Sequence, residues 1–404
     1  MTEQKRKITP NGLMLLGAVS YFASYLTRVN LSAVIEELST QNILSKDILA
    51  LAITCNMIIY GAGLAIAGVL TNKFQPKRLL FTSLVAAALM NLIIPFNHFL
   101  GSASVVAAWS INGFAQALMW PALIKTFLQY MNPEEYETAI FAVSIGSGAG
   151  SMLTYLLAPV YSSLFGANGW MFNFFIPAVF AFALGFVWLF YDCRVDMSKP
   201  KKSSEKSSVK IFTPAIAAIA LAIVIHGILR DGITTWMPTY INEVFRLGAG
   251  ISILSGVALP LFGIATSWLS VRIIRKLKNP ILSASLIFAV ASLFCIALRI
   301  FSGNMVIAIA SMAMIVGCMN GVNMMLVSMV PKVYAPAGKG AMLSGILNAF
   351  TFLGSALSIY GVVLFSDAFG WMPTVSLWAG ISVLGTLICI AVLAKEKTKF
   401  DPKF

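Results

Sequence analysis

Apolar runs, each long enough to cross a bilayer, alternate with short polar breaks along the whole chain. A membrane-spanning helix needs about 20 mainly apolar residues. Twelve such runs lie at 11–34, 47–70, 79–97, 103–130, 137–163, 170–192, 211–241, 249–271, 281–299, 304–330, 340–365 and 371–394. Inside several runs the polar residues recur at helical spacing. Tyr21, Tyr25, Arg28 and Ser32 share one face of the first run, and Asn112, Gln116 and Trp120 share one face of the fourth. The fifth offers Ser144, Ser147, Ser151 and Tyr155, and the eleventh Ser344, Asn348, Thr351 and Ser355. Spacings of three and four residues place side chains on one helical stripe. The pattern predicts an all-α membrane protein, with polar stripes that either line a cavity or serve as interhelical glue.

One long polar interruption, Arg194–Lys210, is rich in Lys and Ser and reads as a flexible linker. It divides the chain into a six-helix bundle over 1–192, a linker over 193–210 and a second six-helix bundle over 211–404. The halves resemble each other weakly. Leu164–Met171 (LFGANGWM) recurs as Leu364–Met372 (LFSDAFGWM), and Asn112-Gly113 recurs as Asn320-Gly321. The basic turn Asn72–Arg78 has a counterpart at Arg272–Lys278. The common offset of about 200 residues, in register with the hydropathy, predicts a duplicated pair of bundles with a binding site at their interface near the midplane.

Composition excludes an ordinary aqueous surface. The 404 residues are 59% hydrophobic and 11% charged, with mean hydropathy +0.86, whereas soluble domains carry about 25% charged residues. The net charge of +13 is topological. With the amino terminus in the cytoplasm, 23 of the 28 Lys and Arg residues fall on that side, and Lys46, Arg246 and Arg299 fall opposite. This is the positive-inside pattern of a multi-pass plasma (inner) membrane protein with both termini cytoplasmic, and no nucleic-acid partner is needed. The five cysteines are scattered and imply neither a disulfide framework nor a metal site. The first apolar run is too long for a signal peptide and reads as helix 1. No nucleophile–base pair, metal cluster or cofactor loop stands out, so neither an enzyme nor a bound cofactor is expected.

Two charges remain where charge is expensive. An arginine at mid-membrane costs about 3 kcal/mol on insertion scales, and Arg28 and Arg230 lie in the first and seventh runs, which are equivalent in the two repeats. Approximate two-fold symmetry would turn both guanidiniums toward one cavity, where they repel unless an anion sits between them. Guanidinium forks match phosphate and carboxylate oxygens, so an anionic substrate is expected, phosphate favoured for its charge. The alternative is that each arginine snorkels or pairs internally. Asp231 adjoins Arg230, but neighbouring residues on a helix point about 100° apart, so that pair is not expected to form by default. His226, one turn before Arg230, could titrate, meet the anion or simply be hydrogen-bonded.

The runs YLTRVNLSAVI, NGFAQALMWPA and LRDGITTWMPTYI resemble the organophosphate:phosphate antiporter family of the major facilitator superfamily, which includes glycerol-3-phosphate and hexose-phosphate exchangers. The likeness spans most of the chain and includes a degraded loop signature, GVLTNKFQPKR, with Asn72 and Gln75 where Asp and Gly are usual. It implies the major facilitator fold, a phosphate clamp at Arg28 and Arg230, and Tyr60 lining the cavity. Tyr25, Gln116, Trp120 and Asn348 complete the expected substrate-binding set, with Asp231 and His226 as candidates for coupling or charge tuning. Leu64 and Ser144-Ile145 stand where the glycerol-phosphate type has a lysine and a histidine. The expected activity is exchange of a phosphorylated anion for inorganic phosphate by a chain functional as a monomer. A proton-coupled organic-anion symporter and a non-transporting phosphate-ester sensor are the alternatives. Two cavity arginines suit a drug or lipid exporter poorly.

Overall fold

The computed structural model describes residues 9–190, 213–334 and 340–395, and these are helical with no strand. The linker expected at 193–210 lies outside the described residues. The chain divides into two compact units, Met1–Lys201 and Lys202–Phe404.

The first unit holds α1 (Pro10–Ala33, continued by the short turn Ile35–Thr40), α2 (Lys46–Lys73) and α3 (Pro76–Ile93). There follow α4, broken into Ser102–Ala117 and Met119–Tyr130, then α5 (Pro133–Phe165) and α6 (Phe172–Phe190). The second unit holds α7 (Pro214–Phe245), α8, broken into Ala249–Ser255 and Ala258–Leu277, and α9 (Pro280–Ile300). It continues with α10 (Met305–Asn323, extended by a π turn at Met324–Met329), α11 (Gly340–Phe369) and α12 (Trp371–Lys395).

By length and composition, ten stretches of the described residues could cross a membrane, one of them the 57-residue run Glu134–Phe190. That run is α5 and α6 joined by a 3₁₀ turn at Gly166–Met171. The span expected at 103–130 is helical from Ser102 to Tyr130 with a break at Leu118, which leaves pieces of 16 and 12 residues. The break is invisible to hydropathy because both pieces are apolar.

Local chemistry explains where the helices begin. Proline occupies the first turn of α1, α3, α5, α7 and α9, where its missing N–H costs nothing and its fixed φ suits the helix. Four of these follow a polar cap, Thr9, Asn132, Thr213 or Asn279, whose side chain accepts a first-turn amide hydrogen bond. Asn132 and Glu135 form a reciprocal capping box.

The helix pairings recur with a shift of six. In the first unit α1 packs along α5, α2 along α4, and α3 against α4 and α6; in the second, α7 packs along α11, α8 along α10, and α9 against α10 and α12. The Asn-Gly repeat falls on one of these crossings. A Cβ on Gly113 would strike Asn56 of α2, and one on Gly321 would strike Ser270 of α8. Gly146 and Gly150 let α5 approach the α1 backbone at Ala18 and Phe22, while Gly68 and Gly148 face nothing within 4 Å. Large apolar side chains such as Phe141, Leu164, Phe190, Leu293 and Ile300 stay exposed, as lipid-facing surfaces require.

Candidate functional site

In the first unit the polar groups gather on Arg28. Its Nε donates to Gln116 Oε1 at 2.9 Å and its Nη2 to Ser24 Oγ at 3.4 Å. Ser24 Oγ in turn donates to the same Gln116 oxygen at 2.6 Å. The amide nitrogen of Gln116 donates to Thr27 Oγ1 and Asn112 Oδ1, both at 3.2 Å. Asn112 and Asn91 donate to the Thr27 carbonyl at 3.1 and 3.0 Å, and Asn30 bridges Asn91 and the Asn173 carbonyl at 2.7 and 2.8 Å. This network ties α1 to α3, α4 and α6. Gln116 is 1% exposed, and with two acceptor and two donor contacts it has spent its hydrogen-bonding capacity.

Aromatic rings form the other wall. The Arg28 guanidinium carbon lies 4.6 Å from the Tyr60 ring centroid and 5.0 Å from that of Tyr25, within cation–π range. Tyr21 packs on Tyr25 and Trp120 with centroids 5.7 and 5.4 Å apart. No carboxylate among the described residues lies within ion-pair distance of Arg28. The expected residues Tyr25, Tyr60, Gln116 and Trp120 thus join Arg28 in one cluster. On α5, Ser144 and Ser147 bond back to the carbonyls of Ile140 and Ser144.

The second unit is built differently. Arg230 Nε donates to Asp231 Oδ1 and Nη2 to Oδ2, each at 2.7 Å. The expectation that these neighbours would not pair is therefore corrected. The Arg side chain is long and jointed enough to bridge the 100° step, and Ser355 of α11 donates to Asp231 Oδ2 and fixes the carboxylate. Ser355 reaches it because α7 and α11 nearly touch. A Cβ on Gly227 would collide with the Thr351 carbonyl oxygen, and one on Gly354 with that of Val224. His226 is 0% exposed, and neither ring nitrogen is in hydrogen-bond geometry with another group. Asn348 is half-buried on α11, seven residues before Ser355 and so on the same helical face.

Sequence reasoning singled out Arg28, Gln116 and the tyrosines but missed Ser24, Asn30 and Asn91. The signal for them was present: Asn30 and Asn91 are amides inside apolar runs, where an unpaired polar group is costly. The two arginines also differ in a way their equivalent positions do not announce, since Asp231 has no counterpart beside Arg28, where Val29 follows.

The model of the Major Facilitator Superfamily matches residues 13–359. Among curated proteins, the glycerol-3-phosphate transporter of Bacillus subtilis (strain 168) is 25% identical over 87% of this chain and 85% of its own length. The membrane sensor protein UhpC of Salmonella typhimurium is 20% identical over 94% and 91%, and the phosphoglycerate transporter protein of the same organism 22% over 92% and 86%. Among solved structures, a bacterial homologue of the human lysosomal transporter Spinster superposes with a TM-score of 0.80 at 11% identity, covering 98% of this chain and 99% of that one. The D-xylose–proton symporter gives 0.71 at 14% identity, covering 96% and 97%. These likenesses to solved structures carry the fold alone. With helices long and apolar enough to span a bilayer and a family model covering most of its length, the chain is an integral multi-pass membrane protein, a transporter-type rather than an enzyme fold, and belongs to the Major Facilitator Superfamily.

Proposed function

We propose that this protein is a secondary transporter that exchanges a phosphorylated organic anion for inorganic phosphate by alternating access, with Arg28 and Arg230 each giving a guanidinium to the phosphate group. The observation that carries the reading is Arg28 itself, a membrane-embedded arginine with no carboxylate partner among the described residues, flanked by two tyrosine rings and an amide already saturated by its neighbours. A fixed cation in apolar surroundings is costly, and a bound anion relieves that cost. Relatives named for glycerol phosphate and phosphoglycerate supply the substrate class. The charge pattern supports both termini in the cytoplasm, and in this reading the chain works as a monomer in the plasma (inner) membrane. Substrate drives exchange here because it binds the closing state more tightly than the open ones, the only way a ligand shifts such an equilibrium.

A second reading, a non-transporting sensor of phosphate esters, is favoured by the two relatives named membrane sensor protein UhpC, each aligned over at least nine-tenths of this chain. Flux separates the two. Proteoliposomes preloaded with phosphate take up radiolabelled phosphate, empty ones do not, and Arg28→Ala or Arg230→Ala abolishes uptake. Phosphate binding without flux establishes the sensor. Flux indifferent to both substitutions overturns the clamp.

A further inference from the structure

We propose that Asp231 is a resident counter-anion for Arg230, which an anionic substrate must displace, and that it thereby sets how tightly the substrate is held. The inference rests on the reading of Arg230 as a phosphate ligand. Asp231 takes Nε and Nη2 of the guanidinium together, at 2.7 Å each. That edge is one of the two-pronged faces a phosphate would use, so the carboxylate and the phosphate compete for the same donors.

The carboxylate is held where it competes. Ser355 Oγ donates to Oδ2, and Ser355 stands in place because α7 and α11 meet backbone to backbone around Gly227 and Gly354. Asp231 is 16% exposed and Arg230 18%, so the pair is sheltered without being sealed. Among the described residues Arg28 has no such partner, and its environment of tyrosines, Ser24 and Gln116 contains no carboxylate that must leave. The two arginines therefore play unequal parts. Arg28 is a standing cation, while Arg230 is released to the anion only when Asp231 yields. A resident carboxylate weakens binding and speeds release, because it reclaims Arg230 as the phosphate departs. Asp231 is a positioning residue in this scheme, acting through Arg230.

The test is phosphate–phosphate exchange in proteoliposomes holding wild type, Asp231→Asn, Ser355→Ala or Arg230→Ala, with half-saturation and maximal rate measured separately. Asp231→Asn keeps the shape and removes the competing charge. Its half-saturation concentration for phosphate should fall roughly 5- to 30-fold, the range of a coupling between contacting charged groups, and its maximal rate should fall as release slows. Ser355→Ala should shift half-saturation the same way by roughly 2- to 5-fold. The double variant should go no further than Asp231→Asn alone. A purely structural role predicts the opposite sign, because losing an anchor loosens Arg230 and raises half-saturation. Exchange abolished by Arg230→Ala but not tightened by Asp231→Asn or Ser355→Ala overturns the inference alone. Exchange that survives Arg230→Ala overturns the phosphate reading beneath it.

Discussion

Gln116 accepts from Arg28 and Ser24 on its oxygen and donates to Thr27 and Asn112 from its nitrogen, so its orientation is dictated by its neighbours. Changing it to Glu would exchange those two donors for a second carboxylate oxygen and give Arg28 the acidic partner that Arg230 already has. Gln116→Glu is expected to weaken phosphate binding about tenfold or more, by the cost of competing for a charge-assisted fork, as read by calorimetric titration in detergent. Gln116→Leu should cost about 1–3 kcal/mol of stability for each buried group it strands, read from denaturation midpoints. Tightened or unchanged phosphate affinity in Gln116→Glu would show that Arg28 does not meet the anion. At this scale the sequence made Arg28 and Gln116 conspicuous because both are polar residues inside apolar runs. It could not show that Asp231 bends onto its neighbour, because that pairing depends on Ser355, which comes 124 residues later.

Helix starts were the most legible feature at the next scale up. Thr-Pro, Asn-Pro and Gln-Pro steps open α1, α3, α5, α7 and α9; each carries the first-turn proline, and all but Gln75-Pro76 add a side-chain cap. The breaks inside α4 and α8 were not legible, since Leu118 and the Gly256–Val257 step are as apolar as what surrounds them. Nor was the α7–α11 contact, whose small residues on one helix matter only through the backbone of another. That contact yields a paired prediction on a single helix. Gly354→Ala drives a methyl group against the Val224 carbonyl, a backbone atom that cannot swing aside, whereas Gly361 faces nothing within 4 Å. Gly354→Ala should lose about 1–3 kcal/mol, the usual penalty for overpacking, and should loosen the Ser355–Asp231 contact. Gly361→Ala should be neutral or gain about 0.5–1 kcal/mol from helix propensity. Thermal unfolding of the two variants in the same detergent decides it, and equal midpoints would mean that α7 and α11 do not meet as closely as described.

At the scale of the whole molecule, the recurrence of pairings with a shift of six accounts for sequence echoes too weak to persuade singly. Asn112-Gly113 and Asn320-Gly321 lie on helices of equivalent order, and both glycines sit at close crossings. The basic residues follow the same order. Lys73, Lys77 and Arg78 stand where α2 turns into α3, and Arg275, Lys276 and Lys278 where α8 turns into α9. Lys125 of α4 donates to the Thr71 carbonyl near the last turn of α2, placing a third element's cation at that end of the first unit. The excess of basic residues predicts that this end faces the cytoplasm. Single cysteines in a background lacking the five native ones test the assignment. Gln41 lies between α1 and α2 and Gln75 between α2 and α3, and both are exposed. Gln41→Cys should react with a membrane-impermeant maleimide in intact cells. Gln75→Cys should react only after permeabilisation. The reverse pattern would invert the molecule in its membrane and overturn the charge argument, while leaving the order of the helices and the cluster around Arg28 untouched. The two results are therefore separable: sidedness rests on about two dozen basic residues spread along the sequence and acting together, whereas the candidate site rests on a few partly buried charges acting through contact.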